Sequence, residues 1–445
     1  MTNEFSLSAT ASWERPLVDA TGDTTALVVT IRDETDRGKL PQRTPIDVAF
    51  VLDHSGSMEG AKLPLVKEAV HVALDHLSDR DRAALVVFDS QVETLHRLDA
   101  VTPETKATIQ QRLDGVEANS ATNLSGGWLN GCHELAMESG NHVDRGADSS
   151  ADSSADSSAD RGAGYRPKRA LLLTDGLANE GITEPHDLIR HATELRLRGI
   201  TTTAIGVGQG FDKILLSGMT EAGGGTFRYI SHPRELSAFF AKEISDLLAI
   251  AAINPRFRLT LPDGVRAHLV NAFPAHRDGK TITVDLRDMA AGDQIDLVFE
   301  IRTAPGDVGS WLRPTFKLSW SDAQTSERVR YSRRLDGVLR AATRDVENAP
   351  LNDEARTVIA MERSGRTQRD AIDLDRQGRH QESREAFLAG HEMLMAAPDT
   401  ATIVKERRIA ASLAAEPMAP LSENIRKERV QSRMERSRGS RIDRT

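Results

Sequence analysis

The sequence predicts an α/β protein in which a doubly wound domain interrupts a β-sandwich and is followed by helices. Three observations carry this reading. From Ile46 onward, apolar runs of strand length alternate with segments of helical spacing. On either side of that region, apolar and polar residues alternate one by one, as in half-buried strands. After Leu339 the spacing turns helical again.

The chain opens with Phe5, Leu7, Ala9, Ala11 and Trp13 alternating with polar residues, and Ala26 to Ile31 is β-rich after the turn-forming Thr21-Gly22-Asp23. This reads as a β-hairpin within residues 1–44. A lone hairpin is marginal in water and needs a sheet to join. The later sandwich strands are the expected sheet, which makes the sandwich discontinuous.

The α/β domain is expected over residues 45–252, with strands at Ile46 to Leu52, Ala83 to Phe88, Val92 to Leu98, Ala170 to Leu173, Thr201 to Val207 and Thr226 to Ile230. Unbroken apolar strands are covered on both faces, which predicts a parallel, Rossmann-like sheet. Helical spacing links them, as in Leu63, Val66, Val70, Leu74 and Leu77, or in Leu188, Ile189, Ala192 and Leu195. A last helix runs from about Pro233 to Ile250, and Pro255 closes the domain. An insertion at about residues 144–164 contains a repeated Ala-Asp-Ser-Ser unit, from Ala147 to Asp160. With no apolar side chains to bury, it is expected to be disordered. It reads as tolerated expansion of a surface loop or as an acidic docking arm.

Alternation returns over residues 253–338, in Phe257, Leu259 and Leu261, then Val265, Ala267 and Leu269, then Ile282, Val284 and Leu286, then Ile295 to Ile301, and in Phe316, Leu318 and Trp320. These are the expected sandwich strands. Residues 339–420 read as a helical region, with Ala371 to Ala397 as two short helices around Gly378. Residues 421–445 are rich in arginine, nearly free of apolar side chains and expected to be disordered.

Bulk properties narrow the function. A chain of 445 residues exceeds what one core organises. A hydrophobic share of 39% with 28% charged residues suits globular domains, although 4% aromatic residues is low. A net charge of −9 gives no electrostatic footprint for DNA. The densest apolar stretch, Leu247 to Ile253, is far shorter than the roughly 20 residues of a membrane span. Met1 to Phe5 lacks the charged and apolar regions of a signal peptide. Cys132 is the single cysteine, so no internal disulfide forms, and a cytoplasmic protein is expected.

The chemistry gathers at strand ends. Val48-Ala49-Phe50-Val51-Leu52 leads into Asp53-His54-Ser55-Gly56-Ser57-Met58, which places three oxygen-bearing side chains at alternate positions. A second apolar strand ends in Thr174-Asp175-Gly176. In doubly wound sheets, ligands sit at this carboxyl edge where the strand order reverses. Two carboxylates and several hydroxyls, without imidazole or thiolate, suit magnesium, calcium or manganese rather than zinc or copper. Magnesium is favoured because it tolerates few protein ligands and keeps waters. Asp89, after Phe88, lies at another strand end and reads as a turn residue or as a support of the site. The pairs His71 and His76, and His186 and His191, are five residues apart and do not share a helical face, so they read as ordinary hydrogen-bonding histidines.

Asp-x-Ser-x-Ser after an apolar strand, then Ala121-Thr122-Asn123-Leu124, then Thr174-Asp175-Gly176 resembles a von Willebrand factor type A (vWA) domain with its metal-ion-dependent adhesion site (MIDAS). The resemblance covers about Pro45 to Ile250, and Thr174 to Gly181 with Ala222 to Thr226 resembles bacterial stand-alone intracellular members. It implies that Ser55, Ser57 and Thr122 coordinate the metal directly and that Asp53 and Asp175 act directly or through water. Gly56 would permit the tight loop. The chain departs from the family in having Ala121 where glycine often precedes the threonine, and in its long insertion.

A metal held largely by neutral hydroxyls and waters stays electrophilic, so a partner's Asp or Glu carboxylate can complete its coordination. The expected function is therefore non-catalytic, metal-dependent protein binding or scaffolding. A magnesium-dependent phosphohydrolase is the competing class, yet the sequence has no Gly-x-x-x-x-Gly-Lys-Ser/Thr loop and no second acidic cluster. An adaptor subunit of an ATPase complex, a role of some family members, would refine the binding reading.

Overall fold

The computed structural model describes residues 6–35, 44–119, 121–137, 166–175, 178–207, 212–230, 233–323, 325 and 327–414. The Ala-Asp-Ser-Ser insertion, the arginine-rich tail and Gly176-Leu177 lie outside the described residues. The chain forms two compact units, residues 35–254 with 321–327, and residues 1–34 with 255–320 and 328–445.

Three strands, β1 (Leu7–Trp13), β2 (Leu17–Asp19) and β3 (Asp23–Asp33), precede the α/β unit. That unit runs β4 (Asp47–Asp53), α1 (Lys62–Asp75), β5 (Arg82–Phe88), β6 (Val92–Ala100), α2 (Pro103–Asp114), α3 (Leu124–Met137) and β7 (Lys168–Thr174). It continues with α4 (Pro185–Leu197), β8 (Ile200–Val207), α5 (Lys213–Ala222), β9 (Gly224–Ile230) and α6 (Pro233–Leu248). The sheet order is β6-β5-β4-β7-β8-β9. The chain builds outward from β4 to β6 and then returns to the other side of β4 with β7, so the order reverses between β4 and β7. That reversal opens a crevice at the carboxyl ends of the two strands.

All neighbours in this sheet are parallel except β5 and β6, which run antiparallel. A parallel sheet was expected throughout. The correction follows from the connection: Asp89-Ser90-Gln91 is all that joins the two strands, and a parallel crossover needs about a dozen residues.

On one face, Phe50, Leu52, Leu171 and Leu173 share a core with Leu63, Val66, Val70 and Leu74 of α1 and with Ile244 and Leu247 of α6. On the other face α3 sits close to β4 and β5 through two glycines. A Cβ on Gly127 would lie 2.3 Å from Phe88 Cδ1, and one on Gly131 would lie 2.3 Å from Val51 Cγ2. The loop at the N-terminus of α3 carries Thr122, one of the candidate metal ligands.

The second unit takes β1 to β3 and adds β10 (Ile250–Thr260), β11 (Val265–Leu269), β12 (Ala275–Asp278), β13 (Thr281–Asp285), β14 (Met289–Ala290), β15 (Gln294–Thr303), β16 (Trp311–Leu312), β17 (Thr315–Asp322), β18 (Arg328–Arg334) and β19 (Val338–Ala341). The division between the units falls within β10, after Asn254, and within β17, after Trp320. One sheet has the order β1-β3-β15-β11 and the other β12-β13-β10-β17-β18. Phe299 of the first sheet meets Phe257 of the second with ring centroids 6.1 Å apart, and Phe257 stacks on Phe316 at 5.6 Å. The sandwich is discontinuous as expected: β3 pairs along β15 from Asp23↔Thr303 to Arg32↔Gln294.

Two details of the strands depart from expectation. The N-terminal segment is not a simple hairpin, because β2 leaves it to pair in parallel with β19, in a small sheet ordered β16-β19-β2. Pro16 precedes β2 and has no amide proton to continue the β1 ladder. Strand character also continues to Ala341, past the expected end of the sandwich.

The helical region holds α7 (Thr343–Glu347), α8 (Asp353–Arg376), α9 (His380–Met395) and α10 (Ala401–Ala414); the two helices expected around Gly378 are α8 and α9, of which α8 begins well before Ala371. Asn352 caps α8 by accepting the Ala355 amide at 3.1 Å. Ala355 and Ile359 of α8 then pack with Ala26, Val28 and Val298 of the first sandwich sheet. Gly378, with φ of 76°, makes the turn between α8 and α9. The residue is suited to that left-handed conformation, which side chains with a Cβ resist.

Candidate metal centre

The register of the α/β sheet assembles the candidate residues. Asp53 is the last residue of β4, and Leu52 pairs with Leu173 of β7. The next positions are therefore neighbours, and the Thr174 hydroxyl donates to Asp53 Oδ2 at 2.5 Å. The other oxygen, Oδ1, accepts the Ser55 amide at 2.8 Å, which folds the chain back over the strand end. A short 3-10 turn, Gly56–Met58, follows.

Side-chain oxygens continue the circuit. Ser55 Oγ lies 3.1 Å from Ser57 Oγ, and Ser57 Oγ donates to Asp175 Oδ1 at 2.6 Å. Asp53, Ser55 and Asp175 are buried, whereas Ser57 is exposed. The cluster thus opens to solvent at Ser57. Burial pushes the Asp53 carboxyl above its usual range, the hydrogen bonds from Ser55 and Thr174 pull it back, and the charge of Asp175 raises it further.

Thr122 is buried and is placed by main-chain bonds. Its carbonyl accepts the Asn179 amide at 3.2 Å and the Glu180 amide at 3.3 Å, tying it to the loop that follows Asp175. On its other side, the Asn123 amide donates to the Asp89 carbonyl at 2.6 Å, and the Asn119 amide to the His54 carbonyl at 2.8 Å. Asn123 also starts α3, accepting the Gly126 amide on its side-chain oxygen at 2.9 Å. The structure therefore joins Asp53, Ser55, Ser57 and Asp175 by direct bonds, while main-chain bonds tie the Thr122 loop to the segments that follow Asp53 and Asp175.

Asp89 is a turn residue: its carboxylate accepts the Gln91 amide at 2.6 Å, and its carbonyl steadies the Thr122 loop. Gly56 begins the 3-10 turn, but the left-handed glycine of this loop is Gly60, at φ 83°. His71 bonds Asp114 at 3.1 Å and His76 bonds the Val72 carbonyl at 2.8 Å, as ordinary surface histidines do. Cys132 is buried in α3, and burial pushes its thiol far up.

Two participants escaped the sequence reading. Thr174 was seen only as part of a motif, although its hydroxyl bridges the two strand ends. Lys62 was not singled out at all. Its ammonium bonds Asp175 Oδ2 and also the Ser57 carbonyl at 2.9 Å. The one available signal was a lysine opening the helix that follows the serine loop.

Among the described residues, no group of three or more His, Cys, Asp or Glu side chains is placed to hold a metal. The cluster has two carboxylates and depends on hydroxyls, which is a hard-oxygen donor set of a different kind. It also attracts positive charge, since the Lys62 ammonium stands against Asp175. A divalent oxygen-seeking cation fits these residues. His54, the residue after Asp53, lines a separate recess of about 480 Å³ with Glu93, Leu95, Arg112 and Glu117, and none of the candidate metal residues lines it.

Residues 47–242 match the family described as the von Willebrand factor type A domain. The uncharacterized protein YfbK of Escherichia coli K12 is 24% identical over 57% of this chain and 41% of its own length. The chain spans about half the length of the curated relatives it matches. Two solved structures are similar over nearly the whole chain. A von Willebrand factor type A protein from Catenulispora acidiphila has a TM-score of 0.72 at 16% identity, covering 98% of this chain and 97% of its own. The ArnB paralog VWA2 from Sulfolobus acidocaldarius has a TM-score of 0.63 at 13% identity, with 98% of each chain covered. At these identities the likeness concerns the fold, sandwich and helices included.

Proposed function

We propose, from the premise that this chain is a von Willebrand factor type A domain protein, that it captures a protein partner through a divalent cation at the Asp53 cluster. Ser55, Ser57 and Thr122 would hold the ion by their hydroxyls, with Asp53 and Asp175 acting directly or through water. The bound ion supplies an electrophilic position that a partner's Asp or Glu carboxylate can fill. Magnesium is the favoured ion, and calcium or manganese suits the same donors.

The observation that supports this most is the closed circuit from Asp53 through Ser55, Ser57, Asp175 and Thr174, with the Lys62 ammonium held against it. The residues divide the work. Asp53 fixes the serine loop through the Ser55 amide, Thr174 holds Asp53, and Ser57 presents its hydroxyl at the surface.

This role is non-catalytic, and the sandwich and helices would serve as scaffold. A cytoplasmic setting belongs to the same proposal. Among the described residues, no helix is long and apolar enough to cross a membrane.

Magnesium titrated into the purified full chain by isothermal calorimetry tests the reading. One ion should bind per chain, raise the unfolding temperature and be lost on Asp53→Ala or Ser55→Ala with the circular dichroism spectrum retained. Equal binding by the variants would place the ion elsewhere.

A further inference from the structure

Lys62 is the first residue of α1, and no acidic residue lies in that first turn. A helix N-terminus carries partial positive charge, so a cation there is disfavoured unless something offsets it. What offsets it is the cluster: the ammonium reaches Asp175 Oδ2 and the Ser57 carbonyl. The Asp175 side chain has no exposed surface, whereas that of Lys62 is 34% exposed. The lysine therefore reaches from solvent into a buried carboxylate.

We propose that Lys62 is a tethered counter-cation which competes with the divalent ion for Asp175 and so sets the metal concentration at which the site loads. The inference rests on the metal-site reading above.

Asp53 and Asp175 are both buried and belong to one hydrogen-bonded circuit. Buried carboxylates need compensating charge. Without metal, Lys62 provides it from within the chain. A divalent ion arriving among the serine hydroxyls and Asp175 would face the ammonium at close range and be repelled by it. The lysine stem is flexible and reaches solvent, so the ammonium can swing outward as the ion enters. One cation replaces another, and the free energy of parting Lys62 from Asp175 is subtracted from metal binding. A lysine with a purely structural role would behave otherwise: its loss would weaken the fold with and without metal and leave affinity unchanged or reduced.

The test compares magnesium titrations of the full-length wild type, Lys62→Met and Lys62→Arg by calorimetry, with thermal unfolding of each in chelator. Lys62→Met keeps the stem and removes the charge. It should bind magnesium at least about ten-fold more tightly and unfold at a lower temperature in chelator. Lys62→Arg keeps the charge and should stay close to wild type. If Lys62→Met does not fold without metal, Lys62→Gln takes its place under the same criterion. Equal or weaker affinity in the neutral variant overturns the competition while leaving the metal site standing. Absence of magnesium binding in both wild type and neutral variant overturns both.

Discussion

The Thr174 hydroxyl donates to Asp53 Oδ2 at 2.5 Å and clasps the ends of the two strands between which the sheet order reverses. The contact follows from register, since Leu52 and Leu173 are partners and the next residue of each strand faces the other. Thr174→Val keeps the shape and removes the donor. It leaves a buried carboxylate oxygen unpaired, which costs about 1–3 kcal/mol. Urea unfolding of the metal-free protein should show this loss.

Gly131 governs how closely α3 lies on the sheet. A Cβ there would stand 2.3 Å from Val51 Cγ2, and a buried β-branched side chain has little freedom to move aside. Gly131→Ala should therefore cost about 1–3 kcal/mol. Because the Thr122 loop leads directly into α3, the same variant should bind magnesium more weakly than wild type. Unchanged stability would mean that α3 is not seated through this glycine.

Asp47 begins β4, at the opposite end from the site, and is fully buried between two arginines. Arg82 bonds it at 2.9 and 2.6 Å, and Arg166 at 2.6 Å. Removing one partner of a buried ion pair is expensive, but here the arginines left behind are partly exposed, at 22% and 24%. Asp47→Asn should cost about 3 kcal/mol, the lower end of the range for such pairs. Chemical denaturation measures this, and magnesium affinity should hardly change.

The pH dependence has a definite sign. Burial, with the charge of Asp175, raises the Asp53 carboxyl above its unfolded value. Its ionised form therefore opposes folding of the metal-free chain at neutral pH, and that penalty fades as pH falls through the raised range toward the ordinary carboxylate range. Metal needs the ionised form, so protons compete with it. The stabilisation given by magnesium should shrink on acidification through that range. Thermal shifts with and without magnesium across a pH series would show the two curves converging.

Much of the candidate site was legible because its hydroxyls and carboxylates sit in short strings at the ends of apolar runs. Asp53, Ser55 and Ser57 leave one strand, and Asp175 leaves another. Thr122 entered through family resemblance, since no periodicity marks it. Lys62 stayed hidden because its meaning lies in a contact spanning 113 residues of sequence. The direction of β6 was not in its apolar pattern, which says nothing of parallel or antiparallel pairing. It was in the short connection at Asp89-Ser90-Gln91, to which the pattern reading gave no weight. The full length of α8 escaped because only a thin apolar stripe, including Ala355 and Ile359, meets the sandwich, and the rest of the helix is largely polar.

The most direct test of metal-dependent capture is quantitative affinity recovery from native extract, using wild-type and Asp53→Ala baits in magnesium and in chelator. A specific protein should be recovered by the wild type in magnesium and lost both in chelator and with the variant. A mutation in that protein's contacting Asp or Glu should abolish its recovery. Equal recovery under all conditions would contradict capture through the ion.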